Sequence, residues 1–457
     1  MNGIYISGNI AVLIILSICI YIIISNNKKQ NQLFEYAYVD PITKKGNIYY
    51  FKKKGQEILG KRKSNEIEFK QYILVLDINK FKMINKTYGY KVGDVILKGI
   101  AEELENLLGK ESLICRLSND YFVALFEFKE NIHYLLEEMV RHIENLKVGD
   151  TVYSLSTNTG VYKLTNEDRN ISEILDRAIM AHSASKGEVF EKFHIFDEKI
   201  EEELEKESKI EHEMYQALKD REFKVFYQPK FDAKAETLYG AEALVRWEHK
   251  GEMIPPSEFI PLFEKNKFIL QLDLYIFEQV CSDIKMWKEQ LGVEPVISVN
   301  ISRAHFLEDD FLKKYMLITS KYGINTNKID FEITESATIE AGINIIEIMR
   351  NIKKLGFLIS IDDFGTGYSS LSTIQDMPAD ILKIDKSFVD GIGRSEKNII
   401  DYILTMAKEL NLMTIAEGVE TKEQRDYLLA RGCDIIQGYY YAKPMPKDEF
   451  EGYLKQN

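Results

Sequence analysis

Apolar and polar positions along most of the chain follow patterns that predict strands alternating with helices. After residue 211, a short apolar run followed by a helical stretch repeats about eight times, which is typical of a TIM-like (β/α)₈ barrel. The predicted strands begin near Phe226, Ala241, Val296, Ile329, Leu358, Ile381, Met413 and Ile435. The pattern therefore predicts an α/β barrel domain over residues 212–457.

The stretch before the barrel has a second α/β pattern. Strand-like runs at Tyr72–Asp77, Tyr121–Phe128 and Thr151–Tyr162 alternate with helical patterns, which predicts an α/β or α+β domain over residues 33–197. Residues 198–218 are rich in charge and contain neither Gly nor Pro. We expect an exposed linker helix there, with i,i+4 charge pairs. A signalling lever and a solvated helix without a signalling role both fit this pattern.

The N-terminal stretch Ile4–Ile24 is almost wholly apolar and uncharged. A helix of this length reaches roughly 30 Å, the thickness of a hydrocarbon core. We expect a transmembrane helix over residues 4–25 rather than a signal peptide, because no basic residue precedes the stretch and no small-residue cleavage site follows it. Lys28 and Lys29 follow the helix, so the sequence predicts a single-pass protein of the cytoplasmic membrane with its soluble domains in the cytoplasm.

The composition disfavours some classes of function. The chain of 457 residues has a formal net charge of −13, which argues against DNA or RNA as a partner, because phosphate contacts need clustered Lys and Arg. A small anionic nucleotide is still compatible with this charge if a metal ion and a few basic residues hold it. The four cysteines are scattered and form no CxxC pair, which indicates a reducing compartment without a disulfide framework.

Acidic side chains and one asparagine lie at or near the ends of the predicted barrel strands. They are Glu242, Asn300, Glu332, Asp362, Asp363 and Glu417. Catalytic groups of a (β/α)₈ barrel lie at the carboxyl ends of its strands, so we expect these side chains to gather there. The set has only oxygen donors, which favours Mg²⁺ or Mn²⁺ over Zn²⁺. The pattern predicts a metal-dependent enzyme acting on phosphate, with structural ion pairs as the alternative.

The barrel block resembles the EAL family of cyclic di-GMP phosphodiesterases over essentially its whole length. The matching segments are YQPK at Tyr227–Lys230, EAL at Glu242–Leu244, SVNIS at Ser298–Ser302, FEITES at Phe331–Ser336, IDDFGTGYSSL at Ile361–Leu371, LKIDKSF at Leu382–Phe388, AEGVE at Ala416–Glu420 and QGYYYAKP at Gln437–Pro444. One EAL triplet alone carries no weight, whereas this many matches in order make chance negligible. The resemblance implies hydrolysis of cyclic di-GMP to linear pGpG, which would favour motility over biofilm.

The resemblance also implies a two-metal site. One Mg²⁺ or Mn²⁺ ion would be held by Glu242, Asn300, Glu332 and Asp362. A second ion would be held by Asp362, Asp363 and Glu417, and the pair would activate a bridging water. Lys383 would orient that water or assist proton transfer, and the resemblance counts it as catalytic together with Glu242 and Glu417.

Other matched residues are implied to bind the substrate or to support a loop. Arg246 would grip a phosphate, since a guanidinium does so with two hydrogen bonds. Leu244 and Pro229 would line the guanine side, and Gln437 would belong to the surroundings of the ligand. Glu335 would anchor the loop that begins at Asp363, which bears on a homodimer formed through the EAL domain.

Residues 33–197 resemble a GGDEF (diguanylate cyclase) domain that has lost part of its site. The resemblance implies GTP-binding roles for Asp77, Lys82, Asn85 and Asp94. The signature loop, however, reads SNDYF at Ser118–Phe122, so two glycines are replaced and Tyr121 stands where a metal-binding carboxylate is expected. Cyclase activity is therefore expected to be lost. GTP as an allosteric ligand and a role as scaffold or dimerisation element both stay open.

The favoured interpretation is a membrane-anchored cyclic di-GMP phosphodiesterase with an inactive GGDEF domain. The full set of EAL catalytic positions favours this enzyme. The alternative is a non-catalytic, membrane-tethered cyclic di-GMP receptor, which would bind the nucleotide without forming pGpG. A third hypothesis, a diguanylate cyclase, is opposed by the altered loop Ser118–Phe122.

Overall fold

The computed structural model describes residues 21–61, 70–185, 192–334, 345–365, 375–392 and 399–456. The chain divides into two compact units, Met1–Lys206 and Glu207–Asn457. Each unit has its own buried apolar core, as expected for separate domains.

The first unit is built around one β-sheet. The described strands of this unit are β1 (Gln71–Ile78), β2 (Leu113–Ser118), β3 (Tyr121–Glu127), β4 (Asn145–Val148), β5 (Thr151–Ser154), β6 (Thr157–Lys163) and β7 (Phe193–Ile195). Five of them form a sheet in the order β2-β3-β1-β6-β7, while β4 and β5 pair separately. Neighbours in the sheet are antiparallel, except for the parallel pair β6 and β7.

Helices cover both faces of this sheet. They span Ile48–Gly60, Phe81–Tyr88, Tyr90–Leu108, Ile132–Glu144 and Ile171–Ala184. Successive residues of a strand point to opposite faces, so Leu74 and Leu76 of β1 join one apolar cluster and Ile73 and Val75 join the other. The α/β pattern predicted for this part of the chain is confirmed.

The second unit is a closed barrel. Its described strands are β8 (Phe223–Asp232), β9 (Leu238–His249), β10 (Glu252–Ile254), β11 (Val296–Asn300), β12 (Ile329–Thr334), β13 (Leu358–Phe364), β14 (Ile381–Ile384), β15 (Met413–Ala416), β16 (Ile435–Ile436) and β17 (Met445–Pro446). The barrel order is β9-β11-β12-β13-β14-β15-β16-β8, and pairing of β8 with β9 closes the ring. The predicted eight-stranded barrel is confirmed.

One strand of the barrel runs against the others. The pairs from β9–β11 through to β15–β16 are parallel, whereas β8 is antiparallel to both β9 and β16. Only residues 233–237 connect β8 to β9. A parallel crossover needs about a dozen residues or more, so this short connection allows only a hairpin.

Helices surround the barrel and follow most of its strands. They span Pro256–Lys265, Ile269–Leu291, Phe311–Tyr322, Ile345–Lys354, Lys386–Val389, Ile399–Glu409, Lys422–Arg431 and Lys447–Leu454. Two short 3₁₀ helices occur at Arg303–Leu307 and Thr326–Lys328. The core they share with the barrel includes both tryptophans of the chain, Trp247 and Trp287, which are fully buried.

The helix predicted to be an exposed linker spans Glu198–Lys219 and is partly buried. Ile210, Met214 and Ala217 belong to the apolar core of the barrel. The ring of Tyr215 packs edge-on against Phe268 at 5.0 Å between centroids. The prediction of an exposed helix is wrong for residues 210–217. Their apolar side chains recur at three- and four-residue spacing and form one buried stripe.

The membrane prediction is corrected by the structure. Within the described residues, the helices lack any stretch that is both long and apolar enough to cross a bilayer. Most of the predicted span, residues 4–25, lies outside them. Of the predicted span, the helix described over residues 21–38 contains only Tyr21–Ser25, which is too short to cross a bilayer before the polar residues Asn26–Lys29 begin. We therefore withdraw the single-pass cytoplasmic-membrane location.

The buried half of the linker helix generates a stability prediction. We expect Met214→Ala to lower the free energy of unfolding of the barrel by about 2–4 kcal/mol, because it leaves a cavity in the core. Both tryptophans lie in the barrel, so denaturation followed by tryptophan fluorescence reports on this unit. Lys209→Ala, at an exposed position of the same helix, serves as the control and should change stability by less than about 0.5 kcal/mol. Equal midpoints for the two variants would contradict the prediction.

Candidate active site

The barrel strands bring most of the predicted site residues to one mouth of the barrel. Asn300 is the last residue of β11 and pairs in register with Glu332 of β12. Asp362 of β13 pairs with Thr334, at the end of β12. Glu417 and Gln437 come directly after β15 and β16. Carboxyl ends of parallel strands meet on one face, which explains why residues so distant in sequence come together.

Lys383 of β14 lies at the centre of these carboxylates. Its Nζ is 2.6 Å from Glu417 Oε1, 2.9 Å from Asp362 Oδ1 and 2.8 Å from Glu332 Oε2. Glu242 Oε2 is farther away, at 3.8 Å. The ammonium group is almost fully buried, at 1% exposure. The structure therefore joins Lys383, Glu242, Glu332, Asp362 and Glu417 in one cluster.

Two amide side chains hold Glu242 within this cluster. Asn300 Nδ2 donates to Glu242 Oε1 at 3.1 Å, and Gln437 Nε2 donates to Oε2 at 2.7 Å. Gln437 Nε2 also contacts Gln228 Oε1 at 3.2 Å. The Glu242 side chain, although early in its strand, is thus buried and directed at the same mouth as the others.

A second buried lysine was missed by the sequence reasoning. Lys230 of β8 is 1% exposed, and its Nζ lies 2.8 Å from Glu332 Oε1. It also donates to Ser298 Oγ at 2.6 Å, and Ser298 donates in turn to Asp330 Oδ2 at 2.6 Å. The signal in the sequence is a lysine inside a predicted apolar strand, which rarely is buried without an anionic partner.

Burial and the charges of neighbouring groups both shift the pKa values in the cluster. Burial and the nearby carboxylates raise the pKa of Glu417 to about 8, against the influence of Lys383. Burial also raises the pKa of Glu242. Burial disfavours the charge of Lys383, but the surrounding carboxylates raise its pKa well above the usual range. For Glu332, Lys230 and Lys383 outweigh burial and lower the pKa to about 2.

The donor chemistry of the cluster fits a hard divalent cation. Its donors are carboxylate and amide oxygens with excess negative charge, which is the environment that Mg²⁺ and Mn²⁺ prefer. Gln437 Oε1 is buried and has no hydrogen-bond partner among the described residues. In the described residues, however, no three His, Cys, Asp or Glu side chains are arranged as a metal site, and Lys383 Nζ contacts three of the carboxylates.

Asp363, a further predicted site residue, lies near the end of β13, and Gly365 follows that strand. Asp363 has a positive φ of 54°, its side chain is exposed, and its backbone N–H donates to Asp362 Oδ1 at 3.0 Å. Burial and the neighbouring Asp362 raise the pKa of Asp363. Gly365 has a φ of 92°, and a Cβ there would lie 2.5 Å from the ring of Phe388. Glu335 lies outside the described residues.

A cavity of about 480 Å³ adjoins the carboxylate cluster. Leu244, Arg246 and Asn300 line it, so it connects the predicted substrate residues with the predicted metal ligands. The Arg246 guanidinium lies over the ring of Phe226, with 5.7 Å from its carbon to the ring centroid. Pro229 is buried in β8 opposite Ala241 and is not part of the cavity wall.

In the first unit, protein side chains surround Asp77 closely. Asp77 is buried at the end of β1, where its Oδ1 accepts a hydrogen bond from Asn158 Nδ2 at 3.0 Å. His182 Nε2 lies 3.2 Å from the same oxygen, and the ring of Tyr121 packs against His182 at 5.3 Å. His182 was not anticipated from the sequence, because only the fold brings its helix to β1. Asn158 and His182 therefore occupy the space around Asp77 Oδ1.

The other predicted GTP-binding residues lie on the helices that follow β1. Lys82 is exposed and Asp94 is half-buried. Asn85 Oδ1 is buried and has no hydrogen-bond partner among the described residues. This atom lies close to Gly93, where a Cβ would be 2.0 Å from it, so the two helices approach each other closely at this point.

Comparisons with known proteins agree with this architecture. Residues 37–191 match the family model of the diguanylate cyclase GGDEF domain, and residues 211–444, more than half of the chain, match that of the EAL domain. The solved PaMucR phosphodiesterase, in complex with c-di-GMP, is 33% identical with a TM-score of 0.51. That match covers 53% of this chain and 99% of the other.

The alignments with curated relatives cover most of this chain and about half of each relative. Signaling protein YkoW of Bacillus subtilis (strain 168) is 29% identical over 95% of this chain and 56% of its own length. The bifunctional diguanylate cyclase/cyclic di-GMP phosphodiesterase MucR of Pseudomonas aeruginosa is 29% identical over 82% of this chain and 56% of its own. The chain thus spans about half the length of these relatives. It belongs to the EAL domain family and carries a GGDEF domain in tandem with its EAL domain.

Proposed function

We propose that the EAL domain hydrolyses cyclic di-GMP to linear pGpG in a reaction that depends on divalent cations. The observation that carries this proposal is the burial of Lys383 among Glu242, Glu332, Asp362 and Glu417 at the barrel mouth. Among the relatives, MucR is named as a bifunctional cyclase and cyclic di-GMP phosphodiesterase and NbdA as a cyclic di-GMP phosphodiesterase. Those names support the same activity for this chain.

The proposed cations are two Mg²⁺ or Mn²⁺ ions. Glu242, Asn300, Glu332 and Asp362 would hold one, and Asp362, Asp363 and Glu417 the other. When bound, such ions neutralise phosphate charge and lower the pKa of an attacking water. The carboxylates around Lys383 and Lys230 outnumber these two ammonium groups, which supports cation binding at this place.

The protein's own groups complete the site. Lys383 keeps its proton, because its pKa lies well above the usual range, so it donates hydrogen bonds that orient water and phosphate oxygens. Hydrolysis adds water to phosphorus, breaks one P–O ester bond and delivers a proton to the leaving sugar oxygen. Gln437 and Asn300 keep Glu242 in place, and Arg246 at the cavity wall grips a phosphate.

We assign the cavity beside Arg246 to one guanine base of the substrate. Its wall combines apolar side chains such as Leu244 with a few polar ones, the usual make-up of a small-molecule site. Pro229 lies outside this cavity, so its predicted contact with the guanine side stays a prediction. The role of Glu335 and a homodimer formed through the EAL domain also stay predictions.

We propose further that the GGDEF domain has no cyclase activity. Tyr121 occupies the position of an expected metal-binding carboxylate, and its ring packs on His182, which in turn contacts Asp77. A cation at Asp77 would have to displace these protein contacts. The effect of GTP on hydrolysis distinguishes two roles for this domain. A domain that binds GTP as a regulator through Lys82, Asn85 and Asp94 would change the rate of hydrolysis when GTP is added, whereas a purely structural domain would not.

Removing a proposed ligand should abolish hydrolysis. With Mn²⁺ present, we expect Asp362→Asn and Glu417→Gln to lower the rate of pGpG formation by about 100-fold or more, because each change removes an anionic oxygen donor. Chromatography of cyclic di-GMP and pGpG measures this rate. Glu420→Gln is the matched control, since Glu420 is half-exposed and pairs with Lys386. Binding of cyclic di-GMP by the wild type without any pGpG would indicate a receptor instead.

Chelation should stop the reaction without unfolding the barrel. We expect excess EDTA to abolish pGpG formation and added Mg²⁺ or Mn²⁺ to restore it, because the carboxylates remain in place around Lys383. Tryptophan fluorescence, which reports on the barrel, should stay unchanged. Full activity in EDTA would refute the cation requirement.

GTP should not be converted to cyclic di-GMP. The assay is best done with Asp362→Asn, in which any cyclic di-GMP formed would accumulate rather than be hydrolysed. We expect no product after prolonged incubation with GTP and Mg²⁺, because Tyr121 offers no carboxylate for a cation. Accumulation of cyclic di-GMP would contradict the proposed loss of cyclase activity.

A further inference from the structure

A buried polar cluster lies in the wall of the 480 Å³ cavity, on the helix Ile269–Leu291 and the loop after β11. Asp273 of that helix lines the cavity, with 13% of its side chain exposed. Its Oδ2 accepts a hydrogen bond from the backbone N–H of Ser302 at 3.2 Å. His305 Nε2 lies 3.2 Å from the same oxygen. Both contacts therefore hold one edge of a carboxylate that borders the cavity.

His305 is itself held rigidly. It is fully buried within the short helix Arg303–Leu307, and its ring packs against Tyr315 at 5.5 Å and Phe311 at 6.2 Å. Nε2 also lies 3.3 Å from the Tyr315 hydroxyl. An imidazole confined on this many sides has little freedom to turn, so it provides a fixed contact for Asp273.

The surroundings of His305 indicate which ring nitrogen carries the proton. Nδ1 is buried and has no hydrogen-bond partner among the described residues. An unpaired acceptor is easier to tolerate there than an unpaired N–H, so the contacts favour a proton on Nε2. In that state Nε2 donates toward Asp273. Burial raises the pKa of Asp273, and the contacts with His305 and Ser302 oppose that rise.

We propose that His305 is a positioning residue that fixes Asp273 as the acceptor for the guanine edge of the substrate. A carboxylate offers two acceptor oxygens, which match the N1–H and 2-amino donors of guanine. Adenine has neither donor at these positions, and hypoxanthine has only N1–H. This inference rests on the proposed function, because it takes the cavity as the seat of a guanine base.

His305 lies close in sequence to Asn300, a residue of the proposed reaction centre. Asn300, which holds Glu242, lies at the end of β11, and Ser302 and His305 follow it directly. Ser302 Oγ also donates to Glu264 Oε1 at 2.9 Å, which ties this loop to the helix Pro256–Lys265. One short segment therefore supports both the guanine acceptor and a proposed cation ligand.

The alternative is that His305 only fills space in the core. That role predicts a loss of stability on substitution but no change in the preference between bases. The decisive readout is therefore the ratio of Kd values for cyclic di-GMP and its inosine analogue, cyclic di-IMP. Binding is measured with the full chain in EDTA, so that no turnover occurs.

We expect the wild type to bind cyclic di-GMP about 10- to 100-fold more tightly than cyclic di-IMP, the effect of losing a hydrogen bond to a charged acceptor. His305→Leu keeps apolar bulk beside Phe311 and Tyr315 but removes the donor, and should bring the two Kd values within about 3-fold. His305→Gln places an amide N–H near the Nε2 position and should keep most of the preference. His212→Ala, at an exposed position, is the control and should behave as the wild type.

The outcomes separate this inference from the proposed function. Equal Kd values in the wild type, or an unchanged preference in a folded His305→Leu protein, would overturn the role of His305. If His305→Leu does not fold, the His305→Gln variant provides the test. A folded His305→Gln protein that no longer prefers cyclic di-GMP over cyclic di-IMP would also overturn the role of His305. A wild type that shows the base preference but forms no pGpG with Mn²⁺ would refute hydrolysis while supporting the role of His305.

Discussion

The ion-pair cluster around Lys383 is the interaction on which the barrel mouth depends. A buried ammonium or a buried carboxylate is costly alone, and the cost is met only when opposite charges and hydrogen bonds surround it. Here Lys383 and Lys230 are opposed by more carboxylates than they neutralise. Burial, together with the neighbouring carboxylates, raises the pKa of Glu417 to about 8. The same imbalance supports our proposal that divalent cations bind at this mouth.

The reversed strand β8 brings two polar side chains, Gln228 and Lys230, to this mouth of the barrel. Because β8 and β9 form a hairpin, Gln228 lies opposite Glu242, and Lys230 lies opposite Gly240. A Cβ at Gly240 would lie 2.1 Å from the backbone oxygen of Val296, so glycine allows β9 and β11 to approach closely. The hairpin thus brings a second ammonium group to Glu332, which keeps its pKa near 2.

The acidic residues of the two domains have different surroundings. In the barrel, the buried lysines neutralise only part of the negative charge of the carboxylates. In the GGDEF domain, Asp77 accepts a hydrogen bond from Asn158 and lies 3.2 Å from His182 Nε2, and the ring of Tyr121 packs edge-on against that imidazole. A satisfied carboxylate gains little from a cation, whereas a crowded set of carboxylates gains much. This difference explains why we assign cation-dependent chemistry to the barrel alone.

The sequence by itself determined the repeating strand and helix pattern, the eight-stranded barrel and the acidic positions at its mouth, because strand periodicity and residue type are local properties. Only the tertiary structure decided the partners of these positions. Lys230 meets Glu332 across 102 positions of sequence, His182 reaches Asp77 from a distant helix, and Met214 enters the barrel core. Such contacts join residues far apart in the chain, and no local pattern records them.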